Sequence, residues 1–216
     1  RTTVAKLYFR YGAMNSGKST ALLQAAFNYE ERGQRVLLAK PLIDTKGASQ
    51  IVSRLGVTRE VDFVIPADGD VETIYAEHAD FVDHDALIES IDAPKAPVAC
   101  LLIDEAQFLS PVQVDSLMRI ATASSVPVMC YGIRTDFQTK AFPGSARLLE
   151  TAHTLEEHKT ICRCGRKAMF NGRLVDGQFI FDGDQVAIDG NSVTYESLCP
   201  SCYLEYSGGR LSTTDS

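Results

Sequence analysis

Apolar residues gather in short runs at 7–11, 36–39, 61–65, 98–103 and 126–131. These runs are rich in β-branched, leucine and aromatic side chains and carry few charges. That is the pattern of strands covered on both faces of a parallel sheet. The stretches between them carry helix signals. Residues 19–26, Ser-Thr-Ala-Leu-Leu-Gln-Ala-Ala, read as helix, with Gly33 where a C-terminal stop falls. Ser110 followed by Pro111 fits an N-cap with proline at the first helical position and opens a helix over 111–123. Strand–helix alternation of this kind predicts a doubly wound, mostly parallel α/β sheet over residues 1–153.

Beyond residue 153 the pattern changes. Cys162-Arg163-Cys164-Gly165 is followed by alternating segments at 168–174 and 178–182, punctuated by Gly172, Gly177, Gly183 and Gly190, and then by Cys199-Pro200-Ser201-Cys202. This predicts a small β-rich module around a metal over 154–206. Residues 207–216, polar and rich in Gly, Ser and Thr, are expected to be a disordered tail. No internal repeat is visible.

Composition narrows the function classes. The 216 residues suit one medium domain with an appendage, and 45% apolar with 23% charged residues is ordinary for a globular chain. A formal charge of −7 speaks against nucleic-acid binding, which needs cationic surface to displace counterions. It leaves room for a nucleotide, which needs one local anion site. No apolar run reaches the length of a membrane span, and the first residues lack the basic-then-apolar profile of a secretion signal. The expectation is therefore a cytoplasmic protein without a membrane partner, whose six cysteines are thiols or metal ligands.

Gly12-Ala13-Met14-Asn15-Ser16-Gly17-Lys18-Ser19 matches G-x-x-x-x-G-K-[ST], the P-loop, between a predicted strand and a predicted helix. Its glycines let backbone N–H groups turn inward around phosphate oxygens, and the following helix presents the positive end of its dipole. Lys18 reaches the β- and γ-phosphates and Ser19 offers a hydroxyl to Mg²⁺. The strand at 98–103 ends in Asp104-Glu105, a Walker B arrangement in which Asp104 serves Mg²⁺. These residues, with Thr20 and Gln107, are the candidate ATP–Mg²⁺ site. Glu105 has two possible jobs: orienting water for hydrolysis, as in an ATPase motor, or accepting a proton from a substrate hydroxyl, as in a small-molecule kinase.

Cys162, Cys164, Cys199 and Cys202 form two close pairs, the spacing of a closed tetrahedral Zn²⁺ site of the structural kind; free thiols or a redox pair are the alternative. Cys100 and Cys130 fall inside predicted buried strands and read as packing residues. His78, His84, His153 and His158 read as surface or cap residues. A zinc-ribbon binding module fused to a nucleotide switch would need a cationic face, for which Arg163, Arg166, Lys167 and Arg173 are the candidates.

The string Asp104-Glu105-Ala106-Gln107-Phe108 resembles the signature of the cellular-type (type II) thymidine kinases. The likeness extends to Tyr11 before the P-loop and Met14 within it, to Lys40-Pro41 and Asp44-Thr45-Lys46, to Tyr131-Gly132-Ile133-Arg134-Thr135-Asp136-Phe137-Gln138, and to the stretch from Val193 to Cys199. The C-x-C opening of the cysteine set is most similar to the bacterial branch. The resemblance implies ATP-dependent phosphorylation of the deoxythymidine 5′-hydroxyl, with Glu105 as base. It implies that Phe108 packs on the thymine ring and that Met14, Ile133 and Phe137 wall its pocket. Tyr195, Asn171 and Ile188 would belong to a lasso-like loop that closes over the nucleoside and reads the base largely through its backbone. It further implies structural zinc, a homotetramer and inhibition by dTTP. Two positions depart from the family pattern: Lys46 stands where arginine is frequent, and Ile133 where leucine is common. A lysine lacks the planar fork of arginine, so no role in orienting substrate is assigned to Asp44 and Lys46.

Overall fold

The computed structural model describes residues 4–43, 49–80, 96–185 and 192–211. The chain runs through β1 (Leu7–Gly12), α1 (Lys18–Glu30), β2 (Arg35–Pro41), the hairpin β3 (Gln50–Val52) and β4 (Thr58–Glu60), β5 (Phe63–Ile65) and α2 (Val71–Asp80). It continues through β6 (Val98–Ile103), a 3-10 turn (Ala106–Phe108), α3 (Pro111–Ala123), β7 (Val128–Ile133), α4 (Pro143–Thr151) and β8 (Thr154–His158). The strands β5-β2-β6-β7-β1-β8, in that order, make one parallel sheet.

The apolar runs have no polar alternation because both sheet faces are covered. Val36 and Leu38 of β2, with Cys100 and Leu102 of β6, pack under α1 with Leu22, Leu23 and Ala26. Their neighbours Leu37, Ala39, Leu101 and Ile103 pack on the opposite face with Val114, Leu117 and Leu148 of α3 and α4. Each large side chain so buried contributes about 1.5–3 kcal/mol. The doubly wound arrangement expected from the alternation is present. Cys100 and Cys130 lie fully buried within these two layers.

Where the elements differ from expectation, a local reason is visible. The strand expected over 61–65 begins at Phe63, because Asp62 leaves the pleat: its carboxylate accepts the Leu38 N–H at 2.7 Å and its own N–H bonds Leu38 C=O at 2.7 Å. The last strand expected over 126–131 is shifted to Val128–Ile133, with Pro127 left outside as an acceptor from Leu101 N–H. Helix α3 occupies the expected residues, closed by a capping box between Ser110 and Gln113. The main sheet also takes in Thr154–His158, past the composition change at 153. That strand is polar, Thr-Leu-Glu-Glu-His, because it is a sheet edge facing solvent. His153 caps the strand entry, its Nδ1 accepting the Leu7 N–H at 3.1 Å, and His84 lies outside the described residues.

The second module comprises β9 (Thr160–Ile161), β10 (Lys167–Ala168), β11 (Phe170–Val175), β12 (Gln178–Ile180), β13 (Val193–Leu198) and α5 (Pro200–Ser207). It is β-rich as expected, but Cys199-Pro200 opens a helix that the sequence reading did not foresee. Ser207, assigned to the tail from composition, is the buried last residue of α5, capped by Gly208; residues 212–216 lie outside the described residues. Among the described residues, the module's apolar core is built on Cys162, Ala168, Leu198, Cys199 and Tyr203. Tyr203 also ties the module to the main domain by donating to Phe137 C=O at 2.6 Å.

Helix α4 sits directly against the 3-10 turn. A Cβ on Gly144 would lie 2.5 Å from Ala106 O and 2.7 Å from Leu109 O, so only glycine permits this approach. The contact fixes the turn that carries Gln107 and Phe108.

Candidate active site

The P-loop starts at the last residue of β1, the acidic pair follows β6, and the segment to Phe137 starts at Ile133, the last residue of β7, so all three meet at the carboxyl edge of the parallel sheet. That edge is where ligands of such sheets bind. Strand β7 lies between the P-loop strand and the acidic strand. Gln107 bridges the junction: its Oε1 accepts the Ile133 N–H at 3.3 Å and its Nε2 donates to Glu105 Oε2.

Within the P-loop, Gly17 has φ 76° and stands as the N-cap of α1 without a side-chain cap. A residue with a Cβ is strained there. The first N–H groups of α1 are left without a capping side chain, which is what an anion needs. Lys18 Nζ donates to Ala13 C=O at 2.8 Å and to Ser16 Oγ at 3.0 Å, stitching the loop together. Burial pushes the Lys18 amine down to about 8, against the opposing pull of Glu105 and Asp104. Ser19 Oγ donates to Asp104 Oδ2 at 3.0 Å. Burial, reinforced by the neighbouring Glu105 charge, pushes the Asp104 carboxyl up to about 6. Glu105 itself has φ 52°, a left-handed conformation that costs a non-glycine residue roughly 1–3 kcal/mol and is concentrated at functional sites. The paired hydroxyl and carboxylate oxygens of Ser19 and Asp104 are hard donors suited to Mg²⁺.

These shifts define a pH window. Were Asp104 to hold Mg²⁺ and Lys18 a nucleotide phosphate, binding would weaken as pH drops through about 6 and Asp104 takes up a proton, and again as pH rises through about 8 and Lys18 loses its charge. kcat/KM for MgATP should therefore be bell-shaped, with the acid limb moving to lower pH at higher Mg²⁺. An acid limb insensitive to Mg²⁺ would remove Asp104 from this role.

One cavity of about 480 Å³ collects most of the candidate residues. Met14, Asn15, Gly17, Lys18, Ser19 and Thr20 line it from the P-loop and α1, and Asp104, Glu105, Gln107 and Phe108 from the end of β6 and the 3-10 turn. Ile133 and Phe137 line it after β7, Asn171 from β11 and Tyr195 from β13. Gly12, Ala13 and Ser16 lie outside the cavity lining, supporting the loop, and Ile188 lies outside the described residues, as do Asp44, Thr45 and Lys46. Phe108 packs edge-on against Phe142, itself a lining residue that sequence reasoning missed. Thr135, Asp136 and Gln185 were missed as well, and Thr135 Oγ1 is buried with no hydrogen-bond partner among the described residues. Arg54 also lines the cavity, and no sequence signal marked it, because the β3–β4 hairpin that carries it was not expected.

The candidate cationic face is largely committed to partners. Arg163 pairs with Glu196, Lys167 with Glu157, and Arg173 is buried 3.7 Å from the Phe137 ring centre while donating to the carbonyls of Asp184 and Gln185.

The sulfur atoms of Cys162, Cys164, Cys199 and Cys202 all lie within 4.8 Å of one another. A tetrahedral Zn²⁺ with bonds near 2.3 Å needs sulfur separations of about 3.8 Å, so the four fit that ion. Cys199 Sγ accepts the Cys202 N–H at 3.4 Å, a bond that holds its thiol down at about 7. Among the described residues no helix is long and apolar enough to cross a membrane.

A sequence profile described as thymidine kinase matches residues 5–203. A thymidine kinase of Ruegeria pomeroyi is 45% identical over 95% of this chain and 96% of the relative. Thymidine kinases of Chromobacterium violaceum and Legionella pneumophila are 44% and 43% identical, over 93% and 98% of this chain and 98% and 93% of their own lengths.

Proposed function

This chain belongs to the thymidine kinase family and its reaction is the phosphorylation of thymidine; from that premise we propose that ATP with Mg²⁺ is the donor, the deoxythymidine 5′-hydroxyl the acceptor, and Glu105 the base. The proton of the 5′-hydroxyl passes to the Glu105 carboxylate as the sugar oxygen bonds to the γ-phosphorus. The bond from that phosphorus to the bridging oxygen breaks, and its electron pair leaves with ADP. Lys18 and the open N-terminus of α1 balance the charge on the transferring group. Asp104 and Ser19 would hold Mg²⁺, which screens the phosphate oxygens when bound. Phe108, Met14, Ile133 and Phe137 pack the base, with Asn171 and Tyr195 on the closing side. The observation that carries this reading is that Glu105, Lys18 and the aromatic residues Phe108, Phe137 and Tyr195 line one cavity.

The test is ADP release with and without thymidine. Release that requires thymidine is expected; equal release without nucleoside would indicate a hydrolase instead. The proposal extends to structural zinc on the four cysteines, to two modules that divide after β8 and not at residue 153, to dTTP as inhibitor, to a homotetramer and to a cytoplasmic setting. Light scattering and a dTTP titration check the oligomer and the inhibition.

A further inference from the structure

Strands β11 and β13 pair antiparallel, with Asn171 opposite Ser197 and Arg173 opposite Tyr195. Strand pleating puts these four side chains on one face. Asn171 and Ser197 are 2% and 6% exposed. Asn171 Oδ1 accepts the Met14 N–H at 2.6 Å, and Ser197 Oγ donates to Met14 C=O. One cross-strand pair of the cysteine module therefore grips both backbone polar groups of a single P-loop residue. The other end of the Asn171 carboxamide donates to Thr135 C=O at 2.9 Å, so both ends are engaged with backbone. At the next residue of the loop, Asn15 Nδ2 reaches Tyr195 C=O at 3.4 Å.

The loop held in this way is one that needs holding. Asn15 and Gly17 both have positive φ, at 65° and 76°. Ordering a free loop at the moment of binding costs about 1–2 kcal/mol per residue, and a loop ordered in advance avoids that cost. Ser197 is two residues from Cys199 on the continuous chain, so the grip is anchored beside the four-sulfur cluster.

We propose that Asn171 and Ser197 are positioning residues for the phosphate loop, and that through them the cysteine module is a working part of the ATP site and not only a cover for the nucleoside. The inference rests on the reading of the P-loop as an ATP site. Ser197 does not line the cavity, so an effect of its hydroxyl on ATP must travel through Met14.

The test uses the full-length, zinc-loaded protein. Wild-type thymidine-dependent ADP release is measured first; its absence would overturn the functional reading itself. With that in place, Ser197→Ala should raise KM for MgATP by about fivefold or more, the loss of one buried hydrogen bond of about 1 kcal/mol. Because Met14 also walls the base pocket, KM for thymidine should rise too, but by less than KM for MgATP, and zinc content should be unchanged. Ser197→Thr, which keeps the hydroxyl, should restore the MgATP value. An unchanged MgATP KM in Ser197→Ala, or equal rises in both KM values, overturns the proposal. If Ser197→Ala loses zinc, the near-isosteric Ser197→Thr and Ser197→Val decide: equal MgATP KM values for the two overturn it, and a lower value for Thr supports it.

Discussion

Glu105→Gln is expected to lower thymidine turnover by about a thousandfold while ATP still binds, the scale expected for losing a general base. The substitution isolates proton transfer. Gln has nearly the shape of Glu, and its carbonyl oxygen can still accept from Gln107 Nε2, so the tie to β7 through Ile133 persists. The left-handed backbone at position 105 is as strained for Gln as for Glu. What is lost is a carboxylate to receive the 5′-hydroxyl proton. A second effect travels with it: part of the upward push on Asp104 comes from the Glu105 charge, so the acid limb of MgATP efficiency should move to lower pH in the variant. Single-turnover kinetics and calorimetric ATP titration measure the two sides. Turnover within tenfold of wild type would remove Glu105 as base.

Removing one sulfur from the cysteine cluster should be nearly as damaging. Cys199→Ala should abolish zinc binding and cut thymidine turnover by at least about a hundredfold. Among the described residues the module's apolar core has five buried members, one an alanine and two of them cysteines. At about 1.5–3 kcal/mol for each large apolar side chain, that core is small against about 1–2 kcal/mol of backbone entropy for every residue ordered. A structural zinc site supplies about 10–16 kcal/mol, enough to reverse the balance. Without it the module should loosen, taking Asn171 and Tyr195 from the cavity and the Asn171 and Ser197 bonds from Met14. Metal analysis alongside the kinase assay checks this; full activity in a variant that holds no zinc would show that the sulfur cluster is dispensable.

Several residues illustrate why parts of the site were hard to read in one dimension. Arg54 sits on a hairpin of two three-residue strands, too short to leave a period in the sequence. Strand β8 is polar because it is a sheet edge, so its composition looks like that of the module that follows. The Asn171 carboxamide was read as a nucleoside contact from resemblance, yet in the fold its two ends meet Met14 and Thr135. Thr135 was visible only as part of a string; its enclosed hydroxyl is a property of packing.

The sequence by itself determined the two-faced parallel sheet, the glycine-rich loop motif, the acidic pair and the cysteine quartet as two close pairs. Each of these is local: a few consecutive residues, or a period of apolar positions, carry the geometry through backbone conformation and burial. Only the tertiary structure decided which strand separates the phosphate loop from the acidic pair, and that the cysteine module grips Met14. Asn171 and Met14 are separated by 157 positions in the chain. Their meeting is set by how the small module packs on the carboxyl edge of the sheet, a sum of many weak contacts that no short motif encodes.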